Sequence, residues 1–196
     1  MDDLSKLASE QNATLVVLSF LQADCGFSNV QYNKAVCSLG KDLTETWMSS
    51  CEEEYGVIEC DGNLPSSIAG SIDDVEPLVE LYWPGGEAEA RTLQQIAARL
   101  REIAAQLEQS VVDQAAQNLR RNVMSSPSEQ WLDLLKSEVQ RAMMQGVGLE
   151  QLPQERVIVA LSLTLVKQVC EHTPQLLRDL FNTALQCVRP PRSRCL

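Results

Sequence analysis

The sequence predicts an all-α protein: a bundle of about seven helices around a buried central apolar hairpin, with one long acidic loop. Three observations predict it. Apolar residues recur at spacings of three and four along most of the chain, which is the helical period. Residues 157–166 (VIVALSLTLV) are interrupted only by Ser162 and Thr164, and a segment apolar all round is a helix wrapped by others. Between residues 42 and 90 there is no Lys or Arg, but thirteen Asp and Glu.

The elements follow in order. Leu15, Val16, Val17, Leu18, Phe20 and Leu21 predict a first helix over about 10–23. A shorter second helix is predicted over 29–40. Residues 44–86 read as a mostly disordered loop, because like charges repel and periodic apolar surface is scarce there. Nine of the chain's Gly and Pro fall between residues 40 and 86, which supports the same reading. After the loop, residues 87–109 place Leu93, Ile96, Leu100, Ile103 and Leu107 on one narrow helical stripe. A fourth helix is expected over 111–123. Ser126-Pro127-Ser128-Glu129 has the form of a capping box with Pro at the first helical position. The helix it starts carries Trp131, Leu134, Leu135, Val139 and Met143 and ends at Gly146 and Gly148. The hairpin itself is expected over 155–171 and 174–188, with Thr173 as the cap of its second helix and Pro174 at that helix's first position. The chain thus divides into N-terminal helices (1–43), the acidic loop (44–86) and the rest of a single bundle (87–196).

Composition removes several function classes. The chain has 196 residues and a formal net charge of −11, the wrong sign for a nucleic-acid binder that neutralises phosphates. No apolar run reaches the roughly 18 residues of a membrane span, and the first 21 residues do not have the form of a secretory signal. The seven Cys include no C-x-x-C pair, and His172 is the only histidine. Neither a zinc site nor any other metal or cofactor is expected, and free thiols imply a reducing compartment. An enzyme is not expected either. His172 is the only candidate histidine base and stands at a helix junction, and neither a phosphate-binding glycine loop nor a dinucleotide fingerprint occurs.

Within the loop, Ile58-Glu59-Cys60-Asp61 is followed by Gly62. A protease needs an extended, exposed segment. Asp before the cut suits a basic primary pocket, and Ile58 and Glu59 suit the outer pockets of an initiator caspase or of granzyme B. An Asp-Gly turn is the simpler reading of the same residues. A cut after Asp61 would divide the charge unevenly. Residues 1–61 carry 3 Lys+Arg against 11 Asp+Glu, net −8, and residues 62–196 carry 13 against 16, net −3. The later piece would be less repelled by an anionic membrane. Its new start, Gly62-Asn63-Leu64-Pro65-Ser66, matches the N-myristoylation pattern.

The stripe on 93–107 has two readings: a core-facing helix like its neighbours, or a helix that leaves the bundle and lays its apolar residues in a partner's groove. Here a resemblance bears on the choice. His172-Thr173-Pro174 with Leu176-Leu177-Arg178-Asp179, Leu18-Ser19-Phe20-Leu21-Gln22, Leu39-Gly40, and Cys60-Asp61-Gly62-Asn63 together resemble the BH-3-only members of the Bcl-2 family of apoptosis regulators, over most of the chain. The resemblance implies a Bcl-2-like bundle and a pro-apoptotic regulator without enzymatic activity, latent in the cytoplasm until it is cut after Asp61. The fragment that follows would be acylated at Gly62, reach the mitochondrial outer membrane, and engage Bax- or Bak-like and anti-apoptotic Bcl-2-type grooves, promoting permeabilisation and cytochrome c release. Ile96, Leu100, Ile103 and Leu107 map onto the four groove-filling positions.

Two departures stand out. The family pattern has a small residue, usually Gly, and then Asp between the third and fourth apolar positions, where this chain has Ala104 and Ala105. The missing carboxylate implies weakened groove binding. The resemblance also implies a further helix after 174–188, where Pro190-Pro191 stands. The Asn-Trp-Gly-Arg signature of groove-bearing members does not occur. Two other readings stay open from the residues: a pore-forming bundle that uses the hairpin directly, and a constitutive helical adaptor.

Overall fold

At the centre lies the most apolar helix. In the computed structural model, which describes residues 3–22, 29–51, 86–149 and 151–189, helix α6 (Gln154–His172) is enclosed by its neighbours and buries ten residues from Val157 to Cys170. Its two polar interruptions cost nothing unsatisfied. The Ser162 and Thr164 hydroxyls donate to the carbonyls of Ile158 and Ala160, each at 2.7 Å, so neither hydroxyl is stranded in the core. The remaining α-helices among the described residues are α1 (Glu10–Gln22), α2 (Val30–Cys51), α3 (Glu87–Ala105), α4 (Gln109–Ser125), α5 (Trp131–Gln145) and α7 (Leu177–Val188). Short 3₁₀ turns at Asp3–Ala8, Ser128–Gln130 and Pro174–Leu176 lead into α1, α5 and α7. No strand occurs among the described residues. The all-α fold and the seven helices are those the sequence predicts, with α6 and α7 as the hairpin.

Four local expectations differ from the structure. The second helix does not stop at residue 40 but runs on to Cys51, so the start of the loop expected at residue 44 lies inside a helix. Leu43 and Trp47 continue the stripe of Tyr32, Val36 and Leu39 onto the core, and Thr44 and Thr46 turn their hydroxyls back onto the carbonyls of Gly40 and Asp42. Gly40 is used for closeness rather than as a stop: a Cβ there would lie 3.3 Å from Gln22 Nε2 and 3.7 Å from Leu18 Cδ2 of α1. The remainder of the acidic segment, 52–85, lies outside the described residues.

The helix expected over 87–109 ends at Ala105, and Glu108 turns extended to start α4. The capping box at 126–129 is not made. Pro127 stays extended (φ −66°, ψ 152°) and no side chain caps the turn, while the Trp131 indole N–H takes the Ser126 carbonyl at 3.0 Å. Thr173 closes the helix behind it instead of capping the one ahead: its hydroxyl donates to Val169 O at 2.6 Å, and Pro174 opens the 3₁₀ turn.

Candidate functional site

Helix α3 is amphipathic, and its apolar face is entirely covered. Leu93, Ile96, Ala97, Leu100 and Ile103 are buried, Ile103 retaining the most exposure at 8%. The helix packs chiefly against α1 and α6. Its outer face carries Gln94, Gln95, Arg99 and Glu102 to solvent. Leu107 lies two residues beyond the helix, on the turn to α4, yet its side chain is also buried. That turn is fixed from outside by the Glu108 N–H, which donates to Val147 O at 3.2 Å. The four groove-type positions Ile96, Leu100, Ile103 and Leu107 therefore converge on one core, with Leu93 extending the stripe.

The two alanines differ in placement. Ala104 is half-buried and packs against the core, whereas Ala105 is exposed at the last residue of α3. Residues 58–62, the expected cleavage segment with Gly62, lie outside the described residues.

Side chains to which pattern reading gives no contact role join α3 to α1 and tie the first two helices to α6 and α7. Arg101 reaches from α3 to the carbonyl of Ser19 in α1 at 2.8 Å. Arg189, just after α7, pairs with Glu10 in the first turn of α1 at 3.0 Å. Arg178 of α7 pairs with Asp42 of α2, and the Asn29 amide donates to the Glu171 carbonyl at the end of α6. These partners are separated by 82 to 179 positions in sequence, so no local pattern announces them.

Among the described residues no group of side chains resembles a reactive centre. The Cys170 thiol is pushed up by burial and further by Glu171, and the Cys187 thiol is raised chiefly by burial. Both are held protonated, the unreactive form. Cys37, Cys170 and Cys187 are free among the described residues. His172 is exposed and its Nδ1 lies 2.8 Å from Gln168 O, which makes it a helix-end residue. No helix among the described residues is long and apolar enough to cross a membrane.

Comparison with known proteins identifies this arrangement. The family model for the BH3 interacting domain (BID) matches residues 2–189. The chain belongs to the Bid family. It is thus a non-enzymatic, pro-apoptotic BH3 protein of the Bcl-2 family, as the motifs around Leu18, Cys60 and His172 led one to expect. A chicken (Gallus gallus) protein named BH3-interacting domain death agonist is 24% identical over 198 residues, covering 95% of this chain and 91% of that relative. No solved structure matches the chain. The match spans all the helices of the bundle, α3 with its covered apolar stripe among them.

Proposed function

We propose that this Bid-family chain is a latent BH3 ligand, switched on by a protease cut after Asp61. The observation that carries the reading is the burial of the α3 stripe between α1 and α6, α1 being the cover that precedes the acidic segment. The cover precedes residues 52–85 in the chain and the stripe follows them. While the chain is continuous, the cover is held at high effective concentration by its tether. A cut between them leaves only packing, and the cover becomes exchangeable.

What is exchanged is substantial. Fully burying a Leu or Ile side chain is worth about 1.5–3 kcal/mol, and four such residues move together from one apolar cover to another. The freed piece is residues 62–196. It offers Leu93, Ile96, Leu100, Ile103 and Leu107 to the grooves of Bax- or Bak-like proteins and of anti-apoptotic Bcl-2-type proteins. Its destination is the mitochondrial outer membrane, where acylation of Gly62 supplies one anchor. A single acyl chain binds membranes only marginally, so the apolar hairpin α6–α7 supplies the second element. Permeabilisation and cytochrome c release follow from the engaged grooves. Ala105 offers no carboxylate to the partner, which makes this chain a weakened trigger.

Digestion with an initiator caspase or granzyme B, followed by liposome permeabilisation with Bax, tests the reading. The expected result is a single cut, abolished in Asp61→Ala, and leakage only from the cut protein in the presence of Bax. An uncut band after long incubation would support a constitutive adaptor instead. Leakage without Bax or Bak would support a direct pore former.

A further inference from the structure

Helix α1 ends at Gln22, and carbonyls of its last turn point out along the axis toward neighbouring elements. Two of them are taken by side chains from other elements. The Tyr32 hydroxyl of α2 donates to Leu21 O at 2.9 Å, and Arg101 Nη1 of α3 donates to Ser19 O at 2.8 Å. The second contact is of a different kind. It places a cation at the negative end of a helix dipole, where a positive charge is stabilising. It is also a charge-assisted hydrogen bond, stronger than a neutral one. Arg101 is only partly exposed, so water screens it less than a surface pair.

Its position makes it more than a surface cap. Arg101 lies on the BH3 helix itself, beside Leu100. Its contact joins α3 to the C-terminal turn of the helix that buries its stripe. Two other arginines whose contacts reach described residues of the earlier part of the chain belong to a different element. Arg178 and Arg189 lie in or just after α7, hold Asp42 and Glu10, and share those pairs with solvent, each pair having one member at least 68% exposed. Exposed ion pairs of that kind contribute little.

We infer that Arg101 is a latch: by capping the end of α1, the BH3 helix holds its own cover in place. This deepens the function proposed above, since it presumes that α3 is the segment released. Losing the contact leaves the Ser19 carbonyl without its cation and frees α3 to part from α1, while α4 and α5, which pack chiefly on each other and on α6 and α7, stay closed.

Hydrogen exchange on the full-length, uncut chain tests the latch without any partner or protease, so its failure is separate from failure of the functional reading. In Arg101→Met, amide exchange in α1 and α3 is expected to rise about tenfold, the size of one lost charge-assisted hydrogen bond. Exchange in α4 and α5 is expected to stay at the native rate. Arg101→Lys, which keeps the cation and a donor, should return most of the protection. Arg91→Met removes the same charge from the same helix but touches only Glu87, and should leave α1 unchanged. Unaltered exchange in Arg101→Met, an equal rise across all helices, or an effect of Arg91→Met as large as that of Arg101→Met would each overturn the latch.

Discussion

Ala105→Asp restores the carboxylate that the BH3 pattern carries, and the structure indicates what it does to each state. In the closed bundle Ala105 is exposed and is the last residue of α3, so a longer polar side chain meets no packed neighbour. The cost there is local. Asp is a poorer helix former than Ala by up to about 0.7 kcal/mol, and a negative charge in the last turn opposes the helix dipole by about 0.3–1 kcal/mol. Together these amount to roughly 1–1.7 kcal/mol, a fall in Tm of about 2–6 °C for a chain of this size. Under the proposed function the same carboxylate meets an arginine of the partner's groove. Charge pairs of that type are worth about 2–5 kcal/mol when one member is removed, which is about 30-fold to several thousandfold in affinity. The neighbouring Ala104→Gly is the worse choice for a first test, because Ala104 packs against the core and Gly costs about 1 kcal/mol in a helix.

The assay is titration of an anti-apoptotic Bcl-2-type protein with the Asp61-cut chain, with and without Ala105→Asp, beside liposome permeabilisation by Bax. The expectation is a large gain in affinity and potency for the variant after cutting, with a small loss in Tm before it. Equal affinity and potency of the two cut proteins would show that the missing carboxylate does not limit the trigger. A Tm loss well beyond 6 °C would contradict the placement of residue 105 on the solvent face.

Two further expectations concern the bundle. Glu138 is 2% exposed, its Oε1 is held by Arg141 at 2.7 Å and its Oε2 has no partner. Glu138→Met should therefore leave stability equal or up to about 2 kcal/mol higher, whereas Arg141→Met should lower it by about 1–3 kcal/mol. Urea midpoints decide, and an equal loss in both variants would refute the unsatisfied carboxylate. The thiols of Cys170 and Cys187 are both raised from their ordinary value of 9.0. Their contribution to stability is present below pH 9.0, where both states are protonated. It is lost as the pH rises beyond that, because the unfolded chain ionises first. Urea midpoints from pH 7 to 10.5 should fall less steeply for Cys170→Val than for the unaltered chain; identical slopes would count against it.

Much of this architecture was legible in the sequence, and the reasons are physical. Helix α6 is apolar on every side because it touches neighbours on every side, and the three-and-four spacing of α3 and α7 reports one buried face each. The stripe of α3 was legible for the same reason, and the BH3 pattern made it a candidate ligand. The misread boundaries arose where a local rule met a tertiary contact. The stretch after residue 40 reads as loop from its Gly, Pro and acidic residues until Leu43 and Trp47 are found on the core. The box at 126–129 reads as a cap until Trp131 takes the Ser126 carbonyl. The turn at 106–108 ends α3 early because Val147 holds Glu108 from another part of the chain. The clasps over the stripe were not legible at all. Arg101 and Ser19 are 82 residues apart, and a backbone carbonyl leaves no mark in the sequence.

The most direct measurement compares the affinity of the intact and the Asp61-cut chain for the groove of an anti-apoptotic Bcl-2-type protein, in the presence of vesicles that take up the 62–196 piece. A buried stripe on α3 requires the intact chain to bind weakly or not at all and the cut chain to bind at least tenfold more tightly. Equal binding by both forms would mean that α1 does not silence α3.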